Sequence, residues 1–295
     1  MRRCRIDTVG ASFPGRAFGL FRKGSVGHAV AAGRECLRLT RHRASDIEVL
    51  INAGVHRDGH VCEPAGAAYI QHRLGVNVEF QGRPTLSFDL LNGGCGMLDA
   101  THVVATQMAA GFVDVGLVVA SEANGDRRPD PGYPYPASGA ALLLDIASRR
   151  DVGFGSFAFV TREEEADLYT SVISLREKRG RIVMRRAAGL EDAWLPMAAR
   201  AFAEVLEREG IGRERVDLVV PAQVSPGFLA RLPEALGMPR DRVADFTADL
   251  PDTLSTSTVL ALHRVLAGGH PCPGFLVVLL AVGSGLTAAA AIHRF

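Results

Sequence analysis

Residues 87–97 read Ser87-Phe88-Asp89-Leu90-Leu91-Asn92-Gly93-Gly94-Cys95-Gly96-Met97. An apolar, strand-like run ends in Asn-Gly-Gly, and a cysteine then stands at the first turn of a predicted helix. Glycines on both sides allow a tight backbone that other residues forbid. A helix N-terminus offers unpaired N–H groups and a partial positive charge, which favour thiolate over thiol and can hold an oxyanion. This turn makes Cys95 the candidate nucleophile. A small buried packing cysteine would also suit the position. Cys4, Cys36, Cys62 and Cys272 lack such a context and read as structural.

Working outward, the turn belongs to a series that occurs twice. The first begins with a β-rich run, Ile47 to Ile51, followed by a helix from Pro64 to Leu74 closed by Gly75. A strand from Thr85 to Leu91, a helix from about Met97 to Ala110 and a strand from Gly116 to Ala120 complete it. The second begins at Asp217 to Val220, with a helix ending at Leu236-Gly237 and a short strand near Val243 to Phe246. A helix from about Ser257 to Leu266 and a final strand, Phe275 to Val282, follow. Each series is preceded by a polar helix-like segment, ending near Arg43 and Gly210. Strands alternating with helices predict parallel sheets with crossover helices, hence an α/β protein. The helix after Cys95 is small and apolar nearly all round, with Ala100, Val103, Val104, Ala105, Met108 and Ala109, so it should be buried between layers. Ser121 to Ser138, rich in Pro and Gly, reads as a loop, and the charged stretch Thr161 to Gly189 as surface.

Composition sets outer limits. The 295 residues carry 33 basic and 32 acidic side chains, a net charge of +1 that gives no basis for binding nucleic acid or an anionic membrane. The longest apolar run, Phe275 to Val282, falls well short of the ~20 residues a bilayer span needs. The basic start Met1-Arg2-Arg3-Cys4-Arg5 is followed by Gly10, Pro14, Gly15 and Gly19, which break any signal-peptide core. Five scattered cysteines, with no CxxC pair, argue for reduced thiols in a cytoplasmic protein and against a zinc site. Neither a P-loop nor a dinucleotide fingerprint is present, so no metal or organic cofactor is expected.

Several of these segments resemble the ketoacyl-ACP synthase III branch of the thiolase superfamily. Asn92-Gly93-Gly94-Cys95-Gly96 is similar to that family's nucleophile turn, and Pro134 to Leu144 to its glycine-rich strand pair. Val219-Val220-Pro221-Ala222-Gln223 resembles its Val-Pro-His-Gln motif, Asp252-Thr253 its Asn-Thr motif, and Gly283-Ser284-Gly285 its oxyanion-hole turn. The resemblance implies a duplicated αβα fold of five layers (αβαβα), with halves at 1–150 and 151–295. It implies acyl loading on Cys95 from a thioester of coenzyme A or an acyl carrier protein, with the amides of Cys95 and Ser284 as oxyanion hole. Transfer to a second acceptor, in fatty acid, polyketide or other secondary metabolite biosynthesis, would follow.

Two departures alter that expectation. The family histidine is here Ala222 and its asparagine Asp252, so malonyl decarboxylation loses the side chains that promote it. The segment that helps clamp coenzyme A also looks shortened, since Phe18 to Gly27 leads straight into the first helix. Cys62-Glu63-Pro64-Ala65 resembles the Glu-Pro-Ala segment of enzymes that condense two acyl thioesters, where the glutamate serves the partner's site across a dimer. Glu63 is thus a candidate base, or else a helix N-terminal carboxylate. His56, after the first strand, is a candidate replacement for the missing histidine, ahead of His60, His102 and His263. Asp252 could orient water. The implied alternatives are a non-catalytic partner of a related chain and a thioester hydrolase. A homodimer or heterodimer is implied throughout, pairing through an edge strand placed within Gly116 to Ala120.

Overall fold

A strand covered on both faces is apolar at successive positions rather than alternating. Val115–Glu122 (VGLVVASE) and Leu276–Gly283 (LVVLLAVG) have that composition, and all eight residues of each are buried. The computed structural model describes residues 2–13, 24–77, 84–126, 128–174, 180–269 and 271–295, and makes each of these strands an inner strand of its own sheet.

The first sheet is built from β1 (Cys4–Ser12), β2 (Val49–Asn52), β3 (Leu86–Asp89), β4 (Val115–Glu122) and β5 (Ser138–Ile146), in the order β1-β5-β4-β2-β3. β4 runs parallel to β2 and antiparallel to β5. The second contains β6 (Gly153–Thr161), β9 (Leu218–Pro221), β10 (Leu276–Gly283) and β11 (Thr287–Arg294), in the order β6-β11-β10-β9. A parallel bridge between Val219 and Val243 stands where the first sheet has β3. The two orders coincide position for position. A separate hairpin, β7 (Tyr169–Ser174) and β8 (Arg181–Arg186), lies between β6 and the second half's first helix.

Among the described residues six helices cover the sheets: α1 (Ser25–Leu39), α2 (Gly66–Leu74), α3 (Gly96–Ala109), α4 (Leu190–Glu209), α5 (Pro226–Leu236) and α6 (Ser257–Ala267). Alternate residues of each strand enter different cores, as the pleat requires. Leu117, Val119, Leu143 and Leu50 join Ala29, Ala32 and Ile70 of α1 and α2 in an outer core. Val118, Ala120 and Leu142 face inward, with Leu98, Val104 and Leu260 of α3 and α6, and with Leu279 and Ala281 of the second sheet. Leu280, Val282 and Ala290 pack outward on Phe202, Phe228 and Leu232 of α4 and α5. Three cores between five layers give the duplicated αβαβα arrangement expected from the sequence. No described helix is long and apolar enough to cross a membrane.

The structure corrects four sequence expectations. Gly116 to Ala120 lies inside β4, paired on both sides, so it cannot be an edge; the end strands of the first sheet are β1 and β3. The strand at Phe275 to Val282 is not the last, because β11 follows it. Its Ala288–Ala291 run favours a helix by propensity, but antiparallel pairing with both β10 and β6 overrides that preference. The segment Val243 to Phe246 contributes only a bridge. The charged stretch 161–189 contains the β7–β8 hairpin, which buries Tyr169 and Ile182. Phe18 to Lys23, on which the shortened N-terminus was read, and His270 lie outside the described residues.

Candidate active site

After β3 the chain makes one 3₁₀ turn, Gly93–Cys95, and enters α3. Gly93 has φ +51°, a left-handed backbone suited to glycine. A Cβ on Gly94 would lie 2.1 Å from the carbonyl oxygen of Val282, and one on Gly93 would lie 3.3 Å from the amide of Ser284. The glycines thus let the nucleophile turn of the first half dock onto the β10–β11 turn of the second. Cys95 is sealed beneath that junction. The Thr287 hydroxyl donates to its Sγ at 3.5 Å.

Burial pushes the Cys95 thiol up to about 12; Thr287 and the amide of Ala289 pull the other way, and Asp99 adds to the rise. Loss of solvent thus works against the thiolate that a helix N-terminus was expected to favour. Asp99, one turn along α3, is itself raised by burial and accepts a hydrogen bond from Asn92 Nδ2 at 2.6 Å.

On the second half, Ala222 follows β9 and is buried. Its neighbour Gln223 is a clasp: Nε2 donates to the carbonyls of Pro221 and Ala244, Oε1 accepts from the Phe246 amide, and the backbone amide donates to Ser257 Oγ. The main chain at Ala222 is therefore fixed, and its side chain is a single methyl group. Asp252 sits in the turn before α6. Its Oδ1 accepts from the Leu254 amide at 2.9 Å, and Oδ2 lies 3.7 Å from the Arg186 guanidinium. Burial raises the carboxyl to about 6, with Glu122 and Glu191 reinforcing the rise and Arg186 opposing it. Leu254 holds φ +53° in the turn that corresponds to Gly93, a strained backbone of the kind that collects at functional sites. The turns before α3 and α6 pack against each other.

A third group joins the halves from behind. Glu122, fully buried at the end of β4, accepts from the amides of Val55 and His56, from His56 Nδ1 at 2.7 Å, and from the Ser255 hydroxyl. His56 is buried, edge-on to Tyr133 and stacked with Tyr135. The hydroxyls of Tyr135 and Tyr169 are hydrogen-bonded, and Arg186 lies over the rings of Tyr169 and Trp194. The hairpin thereby closes over Asp252. Glu122, Arg186 and Thr287 were missed in the sequence. A lone acid closing a buried apolar strand, at the strand end where α/β proteins place chemistry, is the available signal for Glu122.

The remaining candidates lie elsewhere. Glu63 is exposed on the loop before α2, and no hydrogen bond or ion pair among the described residues joins it to Cys95. Nor does it cap α2: that helix's first amides, Gly66 and Ala67, donate to Asp89, which also pairs with Arg57. His60 pairs with Asp126 at 2.8 Å. His102 packs on Phe157 and Phe159, and His263 lies 3.7 Å from Glu35. Asp7, His42 and Asp145 bring possible ligand atoms within 4.8 Å of one another. Arg5 bridges both carboxylates, at 2.9 and 2.7 Å, and supplies the positive charge a metal would bring. A cleft of about 390 Å³ runs along Arg186, Gly189, Glu191, Val224, Ser225 and Arg231.

Comparison with known proteins agrees with this geometry. Residues 206–295 match the family described as 3-oxoacyl-[acyl-carrier-protein (ACP)] synthase III C terminal. The beta-ketoacyl-[acyl-carrier-protein] synthase III of Sphingopyxis alaskensis is 26% identical over 276 residues, covering 89% of this chain and 81% of its own. Among solved structures, the priming beta-ketosynthase of the R1128 polyketide pathway superposes with a TM-score of 0.85 at 21% identity, over 100% of this chain and 97% of its own. A cysteine-to-serine variant of OleA from Xanthomonas campestris, with lauric acid and lauroyl-CoA bound, gives 0.78 at 20% identity, over 92% and 82%. Both structural likenesses concern the fold.

Proposed function

We propose that the chain is a ketoacyl-ACP synthase III-like member of the thiolase superfamily, an acyltransferase that loads an acyl thioester on Cys95 and passes it to a second acceptor without malonyl decarboxylation. The observation that carries this reading is the pairing of an intact nucleophile turn with Ala222. Cys95 lies under the Gly283-Ser284 turn, and the Ser284 amide, joined by the Cys95 amide once that releases its 3.0 Å bond to the Asn92 carbonyl, would receive the oxyanion of a tetrahedral intermediate. At Ala222, a methyl group cannot donate to the thioester carbonyl of a malonyl unit, and an ionised Asp252 would repel the enolate.

In the first half-reaction the Cys95 sulfur attacks the thioester carbonyl and expels the thiol of coenzyme A or of a carrier protein. Since burial keeps Cys95 as a thiol, its proton must leave during attack, and the expelled thiolate is a sufficient acceptor. In the second, Asp252 draws the proton from the incoming acceptor, a role suited to a carboxyl raised to about 6. Glu63 is the second candidate base and would act in a partner's site, since it is exposed on its own chain. The cleft beside Ser225 and Arg231 is the entry for the donor's pantetheine arm. These steps call for no metal or organic cofactor.

The division at about residue 150, a cytoplasmic location and dimerisation through the β3 edge belong to the same reading. Leu86 and Leu91, each 55% exposed at that edge, are apolar surface that a homologous or identical chain would cover. Acyl-loaded protein mixed with a malonyl thioester should release no more carbon dioxide than the Cys95→Ala variant. Release at the rate of acyl turnover would reject the non-decarboxylative reading.

A further inference from the structure

His56 is held at both ring nitrogens. Nδ1 lies 2.7 Å from Oε2 of Glu122, and Nε2 lies 3.0 Å from the hydroxyl of Ser171. Glu122 is fully buried, and its other oxygen accepts from the Val55 amide and the Ser255 hydroxyl. A carboxylate so placed can only accept, so Nδ1 carries the ring proton. In the neutral ring with its proton on Nδ1, Nε2 is the acceptor for the Ser171 O–H. A hydroxyl on a neutral imidazole, oriented by a buried carboxylate, is the arrangement that activates serine as a nucleophile, and it is recognised by geometry and roles rather than by fold.

The fold holds this chain of three in place. Tyr169 and Ser171 share one face of β7, and Tyr169, buried against Trp194, anchors the start of that strand. The other hairpin strand is tied down by the Ile182 amide, which donates to Asp126 at 3.1 Å, while Asp126 also binds His60. The loop from β2 is thus stitched to β4 and to the hairpin at two histidines. Ser171 itself remains exposed. His56 also borders a cavity of about 170 Å³ with Gly54, Arg57, Tyr69 and Ser121. None of this involves Cys95.

We propose that Ser171 is a second nucleophile, with His56 as its base and Glu122 as the group that orients His56, and that it hydrolyses acyl thioesters or activated esters. Ser171 Oγ attacks the acyl carbonyl as its proton passes to His56 Nε2. The C–S or C–O bond breaks, and the leaving group takes that proton. Water, deprotonated by His56, then attacks the Ser171 ester; the carboxylic acid leaves and the serine regains its proton. The sum is thioester plus water giving acid plus thiol.

The test uses a fluorophosphonate probe and p-nitrophenyl acetate on the full chain, with the adduct mapped by peptide mass spectrometry. All variants are made in the Cys95→Ala background, which removes the acyl-accepting thiol; that protein should still label at Ser171 and hydrolyse the ester, whatever the outcome at Cys95. Ser171→Ala should abolish both signals. His56→Ala should slow labelling by at least about a hundredfold. If His56→Ala misfolds, the Ser171→Ala result, read on a protein of unchanged thermal midpoint, decides alone. No adduct on folded protein, an adduct at another residue, or ester hydrolysis unaffected by Ser171→Ala would overturn the proposal.

Discussion

Gly94 and Val282 meet so closely that a single methyl group on Gly94 would fall 2.1 Å from the Val282 carbonyl oxygen. The nucleophile turn of one half and the glycine turn of the other are therefore a single packed unit. Gly94→Ala cannot relax by moving a flexible side chain, because the obstacle is backbone. Overpacking of this kind costs about 1–3 kcal/mol, and here it would also move Cys95. The variant should lose roughly that much stability in urea titration and load acyl groups at least tenfold more slowly. Wild-type loading would show that the two turns are not coupled.

Cys95 should be slow to alkylate in the free protein. With its thiol pushed up to about 12, only about one molecule in ten thousand is thiolate at pH 8. Cys62 and Cys272 are exposed and should consume iodoacetamide first, as residue-resolved mass spectrometry can follow. Thr287→Val removes the hydroxyl that donates to Sγ, so it should raise the thiol further and slow acyl loading by about tenfold.

Asp252 sets a pH dependence of known sign. Its carboxyl is raised from 3.8 to about 6, so it becomes a base only as pH rises through about 6. Acyl transfer from Cys95 should climb across that range, and Asp252→Asn should remove the limb while leaving loading intact. A folded-state pKa above the unfolded value means that stability is lost as pH rises from 3.8 to 6. The asparagine variant should therefore be more stable than wild type at pH 7, by of order 1–3 kcal/mol in chemical denaturation.

His293 acts in the opposite direction. It is buried, accepts from the Ile6 amide at 3.1 Å, and is depressed from 6.5 to about 3 by loss of solvent, with Arg5 adding to the effect. A depressed histidine gives stability that is complete above pH 6.5 and is lost as pH falls toward 3. This group alone should cost about 1.4 kcal/mol per pH unit in that window. His293→Gln should show a shallower acid limb in thermal melts recorded from pH 7 to pH 4.

The layers were legible because buried parallel strands and buried helices leave long apolar runs, as around Val115–Glu122 and in α3. Cys95 was legible because glycines flanked it at a strand–helix junction. What failed to show depends on partners remote in sequence. Glu122 meets Ser255 across 133 residues, and Thr287 meets Cys95 across 192. Neither periodicity nor spacing records such pairings. Ala288–Ala291 does not show as a strand because its strand character comes from its two neighbours, and β1 and β3 do not show as edges because edge position belongs to sheet order.

The central claim is that Cys95 carries the acyl group, and intact-protein mass spectrometry after incubation with a panel of acyl-CoA and acyl-carrier thioesters tests it most directly. The account predicts one acyl adduct on the wild type, retained in Ser171→Ala and absent from Cys95→Ala. A folded wild-type protein that takes no adduct from any donor, or an equal adduct on Cys95→Ala, would contradict it and leave the chain as a supporting partner of a related subunit.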